Sequence, residues 1–369
     1  MKNILHITNW FPDRKDPFNG LFIKNHIEAL SHFRNYILHF EVSKSRKPKF
    51  LLRFSDQIVV FKLEIPLPWI IIEWISFCGI LSFWFILFYW KKISLINLHI
   101  SYPNAARLSL LKKLLRKKII ITEHWSAFHF NFHLPKNKHR KFHSMFDETT
   151  QWIAVSDSLK EDIIRFSGGM PIRIATIPNV VDTKKFKNVE SLIGNYFLAV
   201  SRWKNPKRPD IIIESFSRVA IKFPNLKLIM AGDGPLLPEM KQQVKKYGLN
   251  NKVEFIGWSS AVELAMLLNG AVCLVHCSDY ETFSVICAES LCCGTPILAS
   301  AVGGIREYFA PGYGYLVEDN SVELFSEKMD LMLKNLGAFE RKKISNETSK
   351  KFCKEKVGEE YARILESNL

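Results

Sequence analysis

The sequence predicts an α/β chain of two Rossmann-like domains, each a parallel sheet with helices on both faces. Two observations predict it. Short apolar runs of strand length alternate with helix-period segments along the whole chain, the pattern of repeated βαβ units. These runs fall into two comparable sets on either side of the polar stretch Asp182 to Asn195, and 369 residues suffice for two domains of ordinary size. An apolar fraction of 47% provides for packed cores and excludes wholesale disorder.

In the first half, strands are expected at 4–7, 37–42, 58–61, 95–99, 119–122, 152–155 and 174–177. In the second they are expected at 197–200, 227–231, 253–256, 272–275, 296–299 and 315–317. The first of these begins almost at Met1, and its apolar core is too short for an export signal. The boundary is set at 190/191, giving domains 1–190 and 191–354, followed by an amphipathic helix from Lys354 to Asn368. No repeat of solenoid period is visible.

The seven cysteines are odd in number, contain no Cys-x-x-Cys and lie mostly in apolar runs, so they read as small buried thiols of a reducing compartment. No metal site is expected: His276 beside Cys277 sits within a strand, where neighbouring side chains point to opposite faces. The net charge of +15 is confined to the N-terminal half. Residues 1–190 hold 29 Lys and Arg against 15 Asp and Glu, and residues 191–369 hold 22 against 21. The excess gathers in Lys44 to Arg53, Lys112 to Lys118 and Lys136 to Lys141. It reads either as attraction to an anionic membrane or nucleic acid, or as a solvated face.

One segment breaks the alternation. Trp74 to Trp90 runs for 17 residues without a charge and is rich in Trp and Phe, including Trp84 and Phe88. Its length reaches the lower edge for a membrane span. Spanning would put strands of one sheet on opposite sides of a bilayer, which leaves an interfacial helix or a core helix; the tryptophans favour the interface.

The most specific phrase is Tyr280-Glu-Thr-Phe-Ser-Val-Ile-Cys-Ala-Glu-Ser-Leu-Cys-Cys-Gly-Thr-Pro296. Strand-like runs flank it, and Ser284 to Cys293 has helical spacing with Gly294 and Pro296 as the stop. Glu281 therefore lies at a strand's C-terminal end, where open α/β sheets bind ligands, and Glu289 lies inside the next helix, eight positions on. The helix N-terminus suits a phosphate. A surface Glu plus a helix-face Glu is the plainer reading of the pair alone. Upstream, Ala199-Val-Ser-Arg-Trp-Lys-Asn-Pro-Lys-Arg-Pro-Asp210 places Arg202 and Lys207 just past a strand, able to hold a diphosphate or simply solvated; Arg208 makes the second cation ambiguous. Ala231-Gly-Asp-Gly-Pro235 and Phe255-Ile-Gly-Trp258 run from strands into turns, with Gly232 and Gly257 allowing close approach of backbone. Ala301-Val-Gly-Gly-Ile-Arg-Glu307 adds a Gly-Gly turn at Gly303 and Gly304, with Glu307 readable as a helix N-terminal charge.

Together these phrases resemble the donor segment of retaining glycosyltransferases of the GT-B fold, glycosyltransferase family 4 in particular. The family pattern is Glu, small, aromatic, small, then a helix with the second Glu and a Cys-Gly-x-Pro turn. Thr282 and Ser284 stand here where Gly is commoner, Ser201 replaces a Gly before Arg202, and Val180 replaces Gly in Ile177-Pro-Asn-Val-Val-Asp182. The resemblance is strong over 174–317 and thinner over 1–173.

The resemblance implies two facing Rossmann-like domains, a last helix (355–369) that crosses back to the first, and a nucleotide diphosphate sugar, UDP- or GDP-linked, as substrate, with no cofactor and no metal. Carried over residue by residue, Glu289 takes the ribose and Glu281 the transferred sugar's hydroxyls. The amides of Phe283, Ser284 and Val285 meet the distal phosphate, and Arg202 and Lys207 neutralise the leaving diphosphate. In the first domain, Gly20 after Asn9-Trp-Phe-Pro-Asp-Arg-Lys-Asp-Pro-Phe-Asn resembles the loop facing the phosphates. His124 in Ile121-Thr-Glu-His-Trp125 matches the His near the reacting carbon, although a lone His is often structural. The basic half and the aromatic segment imply a cytoplasmic enzyme peripherally bound to the inner face of the cell membrane. Its acceptor would be a lipid-linked glycan for a cell-surface polysaccharide such as lipopolysaccharide. A GT-B sugar-nucleotide epimerase is the nearest rival. A basic nucleic-acid-binding protein is the second, and no base-stacking or groove-reading motif accompanies the charge, so nucleic acid is not expected as a partner.

Overall fold

The computed structural model describes all residues except 13–15, 17, 55–56, 69–70, 73, 77, 80–81, 83–91, 116–117, 135 and 190–192. The chain divides into two compact units, one of Met1–Asn179 with Val357–Leu369 and one of Val180–Lys356.

The first unit is built on β1 (Asn3–Thr8), β2 (Arg34–Lys44), β3 (Lys49–Phe54), β4 (Ile58–Ile65), β5 (Leu95–His99), β6 (Ile119–Glu123), β7 (Gln151–Ala154) and β8 (Arg173–Thr176). They form one sheet in the order β3-β4-β2-β1-β5-β6-β7-β8. Every pairing is parallel except that of β3 with β4. β5, β6 and β7 are buried at every residue, the reason they read as unbroken apolar runs rather than alternating ones. Between the sheet and its helices, Phe128, Phe142, Phe146 and Trp152 pack as one aromatic cluster, with Phe146 stacked on Trp152 at 4.7 Å.

β3 is the strand that sequence reading missed. Its basic residues mark it as a charged patch, and Lys49-Phe-Leu-Leu-Arg-Phe54 has no clean two-residue alternation. The structure pairs it antiparallel with β4, Lys49 opposite Glu64 and Phe54 opposite Val59. It departs from the all-parallel expectation at the sheet's edge, where Lys and Arg discourage further pairing.

The aromatic segment lies mostly outside the described residues, Trp84 and Phe88 included. Helical residues are present between 71 and 82. Ile72 and Ser76 are buried, and a Cβ on Gly79 would stand 2.5 Å from the Phe40 ring, so this face lies on the sheet. Trp74 and Ile71 face out, 65% and 40% exposed. Among the described residues no helix is long and apolar enough to cross a membrane.

The last helix, Lys354–Glu366, carries Val357 onward into the first unit. The Tyr361 hydroxyl accepts from Asn97 Nδ2 at 2.6 Å and lies 2.5 Å from Thr122 Oγ1. Gly358 permits the close packing: a Cβ there would sit 2.3 Å from the Ala29 carbonyl oxygen.

The second unit holds β9 (Tyr196–Val200), β10 (Lys227–Ala231), β11 (Val253–Gly257), β12 (Leu274–His276), β13 (Ile297–Ser300) and β14 (Gly314–Val317). All run parallel in the order β11-β10-β9-β12-β13-β14. Strand order reverses between β9 and β12, and that crevice is where a doubly wound sheet takes its ligand. Phe197, Phe216, Met230, Val275, Leu298 and Phe325 lie in the core beneath. Five of the seven cysteines are buried and all are free thiols.

Candidate active site

The loops leaving β9 and β12 meet at the point of reversal. Lys207 forms an isolated bridge with Ser278, and the Arg208 amide donates to the Cys277 carbonyl at 3.0 Å. This pairing brings a cationic loop against an acidic one.

Glu281 is buried there, and its Oε1 accepts from the Lys207 ammonium and from His276 Nε2, the latter at 2.7 Å. Burial alone would raise the carboxyl; the charges and hydrogen bonds of Lys207 and His276 outweigh it and hold the group at about 2. Among the described residues nothing bonds to Oε2. A Cβ on Gly303, which has φ +49°, would fall 1.8 Å from the Glu281 carbonyl oxygen, and the Gly304 amide donates to that oxygen at 3.1 Å. The Gly-Gly turn is thus the backstop of the Glu281 loop.

The cationic loop is shaped in the same way. Gly232 has φ +106° and leaves room for the Ser201 carbonyl, which a Cβ would meet at 1.9 Å. The Trp203 amide donates to the Asp233 carbonyl, and buried Trp203 anchors the loop. Arg202 lies over the Trp258 ring at 5.7 Å, a cation–π contact placed by the turn at Gly257, φ +69°. The Gly232 amide donates to the Gly257 carbonyl at 2.6 Å, which ties the two turns together. Burial, and then repulsion from Arg202 and Lys207, lowers the Lys204 ammonium. Three cations of one sign are therefore gathered in one loop, an arrangement that favours an anion.

The helix Val285–Cys292 begins at Ser284, which adopts φ +63° and ψ 81°, a left-handed cap that favours glycine. The Tyr308 hydroxyl bonds to the carbonyls of Phe283 and Ser284 at 3.0 and 3.1 Å. Among the described residues, the amides of Phe283, Ser284 and Val285 donate to no protein acceptor, so all three are available to an anion. Glu289, one turn further along this helix, is raised to about 8 by burial and then by the Asp182 charge.

Gly20 and His124 belong to the first unit. Gly20 caps the helix Leu21–Ala29 with φ +67°, and its conformation has a structural reason, since a Cβ would stand 2.4 Å from the Trp10 carbonyl oxygen. His124 is buried against Phe22 of that helix, 4.7 Å between rings, with Nδ1 on Asn179 Oδ1 at 3.2 Å and, among the described residues, no partner for Nε2. Burial, and then the neighbouring His26, keep it well below the usual imidazole range, so it is neutral. Buried Glu123 orders the turn by accepting from the amides of His124 and Trp125 and from Ser101.

The structure thus sets Arg202, Lys207, Gly232, Gly257, Glu281, Phe283, Ser284 and Val285 at or past the C-terminal ends of β9, β10, β11 and β12, with Glu289 in the helix that follows, and places Gly20 and His124 in the other unit. Sequence reading did not assign Lys204, His276, Trp258 or Tyr308 to the site. For His276 a signal existed: it is a buried-strand histidine five residues before Glu281.

Two family models match the chain: Glycosyltransferase Family 4 over residues 42–185 and Glycosyl transferases group 1 over residues 180–351. The chain belongs to the GT-B glycosyltransferases. A phosphatidylinositol N-acetylglucosaminyltransferase subunit of Arabidopsis thaliana is 27% identical over 225 residues, 59% of this chain and 49% of that protein. The D-inositol 3-phosphate glycosyltransferase of Mycobacterium bovis is 28% identical over 204 residues, 51% of this chain and 42% of that protein. The chain thus matches about half or less of the length of these curated relatives. Anabaena HepE in complex with UDP shares the fold over 100% of both chains, with a TM-score of 0.77 at 17% identity. Membership of the GT-B glycosyltransferases accounts for the two doubly wound units and for the order of motifs around β9 and β12.

Proposed function

We propose that this GT-B glycosyltransferase moves a hexose from a nucleotide diphosphate sugar to an acceptor hydroxyl with retention of anomeric configuration and without a metal. The observation that carries the reading is Glu281. It is a buried carboxylate held ionised at the sheet's switch point, beside three cations and three open amides. The carboxylate suits sugar hydroxyls; the cations and the helix N-terminus suit a diphosphate. Glu289 would accept from the ribose diol. The bond between the anomeric carbon and the distal phosphate oxygen breaks, and its electron pair leaves with the diphosphate, whose charge Arg202 and Lys207 stabilise. The acceptor oxygen bonds to the same face of that carbon, and its proton passes to the leaving phosphate oxygen. The second unit would bind the donor, and the first would serve the acceptor side.

UDP bound to HepE and the phosphatidylinositol named for the Arabidopsis relative support a uridine donor and a lipid-borne acceptor. Exposed Trp74 and Phe50, on a half of the chain with a net charge of +14, support peripheral attachment to the inner face of an anionic membrane. Thermal shift with UDP against GDP tests the donor: UDP at a hundred times its Kd should stabilise by about 2.7 kcal/mol. Glu281→Gln should fold normally and lose most turnover, and the anomeric configuration of the product reports retention. Full turnover in Glu281→Gln sinks the assignment.

A further inference from the structure

Two residues of the site depart from what the resemblance carries. Ser284 occupies a position where glycine is commoner and adopts the backbone of a glycine, and no role attaches to His276. A left-handed conformation costs a non-glycine residue on the order of 1 kcal/mol. Something must offset that cost, and the serine hydroxyl is the one thing glycine lacks. Its Oγ lies 3.3 Å from His276 Nε2, the same nitrogen that reaches Glu281 Oε1 at 2.7 Å. Facing a carboxylate oxygen, Nε2 must carry the hydrogen and donate; Ser284 Oγ takes the second, longer arm. His276 is the last residue of β12 and its side chain is 4% exposed, so the ring cannot swing away. With Lys207 on the same carboxylate oxygen, the Glu281 rotamer is fixed and Oε2 keeps its lone pairs for a ligand.

We propose that His276 is a positioning residue: it aims the Glu281 carboxylate and, through Ser284, couples that aim to the helix cap that presents the three open amides. This rests on the reading of Glu281 given above. His276 touches no substrate; it acts through Glu281 and Ser284.

The test compares His276→Leu, which fills the space without a donor, with His276→Gln, whose amide can replace Nε2–H. Calorimetry with UDP and UDP-glucose, and in parallel GDP and GDP-mannose, separates nucleotide contacts from sugar contacts, and nucleotide release gives turnover. His276→Leu should bind free nucleoside diphosphate a few-fold more weakly through the loosened cap, lose most of the added affinity for the sugar nucleotide, and fall about a hundredfold in kcat, the scale of an ångström of misplacement. His276→Gln should recover most of both. If the Leu variant does not fold, His276→Asn, polar but too short to reach, should reproduce its losses. Parent-like sugar binding and turnover in the Leu or Asn variant overturns the proposal, as does a Gln variant no better than Leu. Glu281→Gln assayed beside them distinguishes the two failures. If it is parent-like, the Glu281 reading itself falls; if it is dead while His276→Leu is active, only the positioning role falls.

Discussion

At the scale of single residues, two carboxyls of one helix–loop segment are driven in opposite directions, and both shifts are measurable. Glu281 is held at about 2 against an ordinary 4.5, so its contribution to stability is fully present above pH 4.5 and is lost as pH falls toward 2. Removing Lys207 leaves that buried charge with one partner fewer. Lys207→Met should destabilise by about 3–5 kcal/mol, and adding Glu281→Gln should return much of it, as read from urea midpoints. Glu289 is raised to about 8, so the folded state binds its proton more tightly than the unfolded chain. Stability without ligand should fall as pH rises from 4.5 through 8, and Glu289→Gln should flatten that slope. A ribose diol needs the ionised form. UDP affinity should therefore rise with pH below 8, by up to about tenfold per unit, with a proton released on binding. A flat calorimetric profile would argue against Glu289 as the ribose ligand. The residues of the candidate site were unequally legible. Glu281, Arg202 and Lys207 stand out as charges just past strand ends, and Glu289 as the second carboxylate of a phrase that resembles a known family's, eight positions on. Lys204 and His276 do not, because their part depends on which loop lies opposite, and β9 and β12 are more than seventy residues apart.

At the scale of elements, the strands were readable wherever both faces are covered, since burial on both sides writes an apolar run. β3 escaped because an edge strand carries the charges that a solvated loop would also carry. The turns were readable as glycines but not as to what approaches them: only the fold reveals that Gly303 yields to the Glu281 carbonyl and Gly232 to that of Ser201. Each has a positive φ as well as a blocked Cβ. Gly303→Ala should cost well over about 1 kcal/mol and depress turnover by moving Glu281. An equally stable, equally active variant would show that the loop can give way.

At the scale of the whole molecule, an enzyme of this charge distribution should float with anionic vesicles at low salt and be released as salt rises. Trp74→Ser together with Phe50→Ser should weaken flotation without lowering the melting temperature, because both side chains are exposed; indifference of the parent protein to such vesicles would refute membrane attachment. Turnover should survive saturating EDTA, and a loss restored by Mn²⁺ would contradict the metal-free reading. The return of Val357–Leu369 to the first unit has a temporal consequence. Synthesis runs from the amino end, yet Tyr361 reaches Asn97 and Thr122, and Gly358 seats on Ala29, only after the entire intervening unit has been translated. The part of the chain made first is therefore the part finished last. While the ribosome is still at work, the nascent first half waits with its buried histidines and Asn97 lacking their cover. A fragment ending at residue 179 should sediment with chaperones and regain cooperative unfolding only when the missing helix is supplied as a peptide.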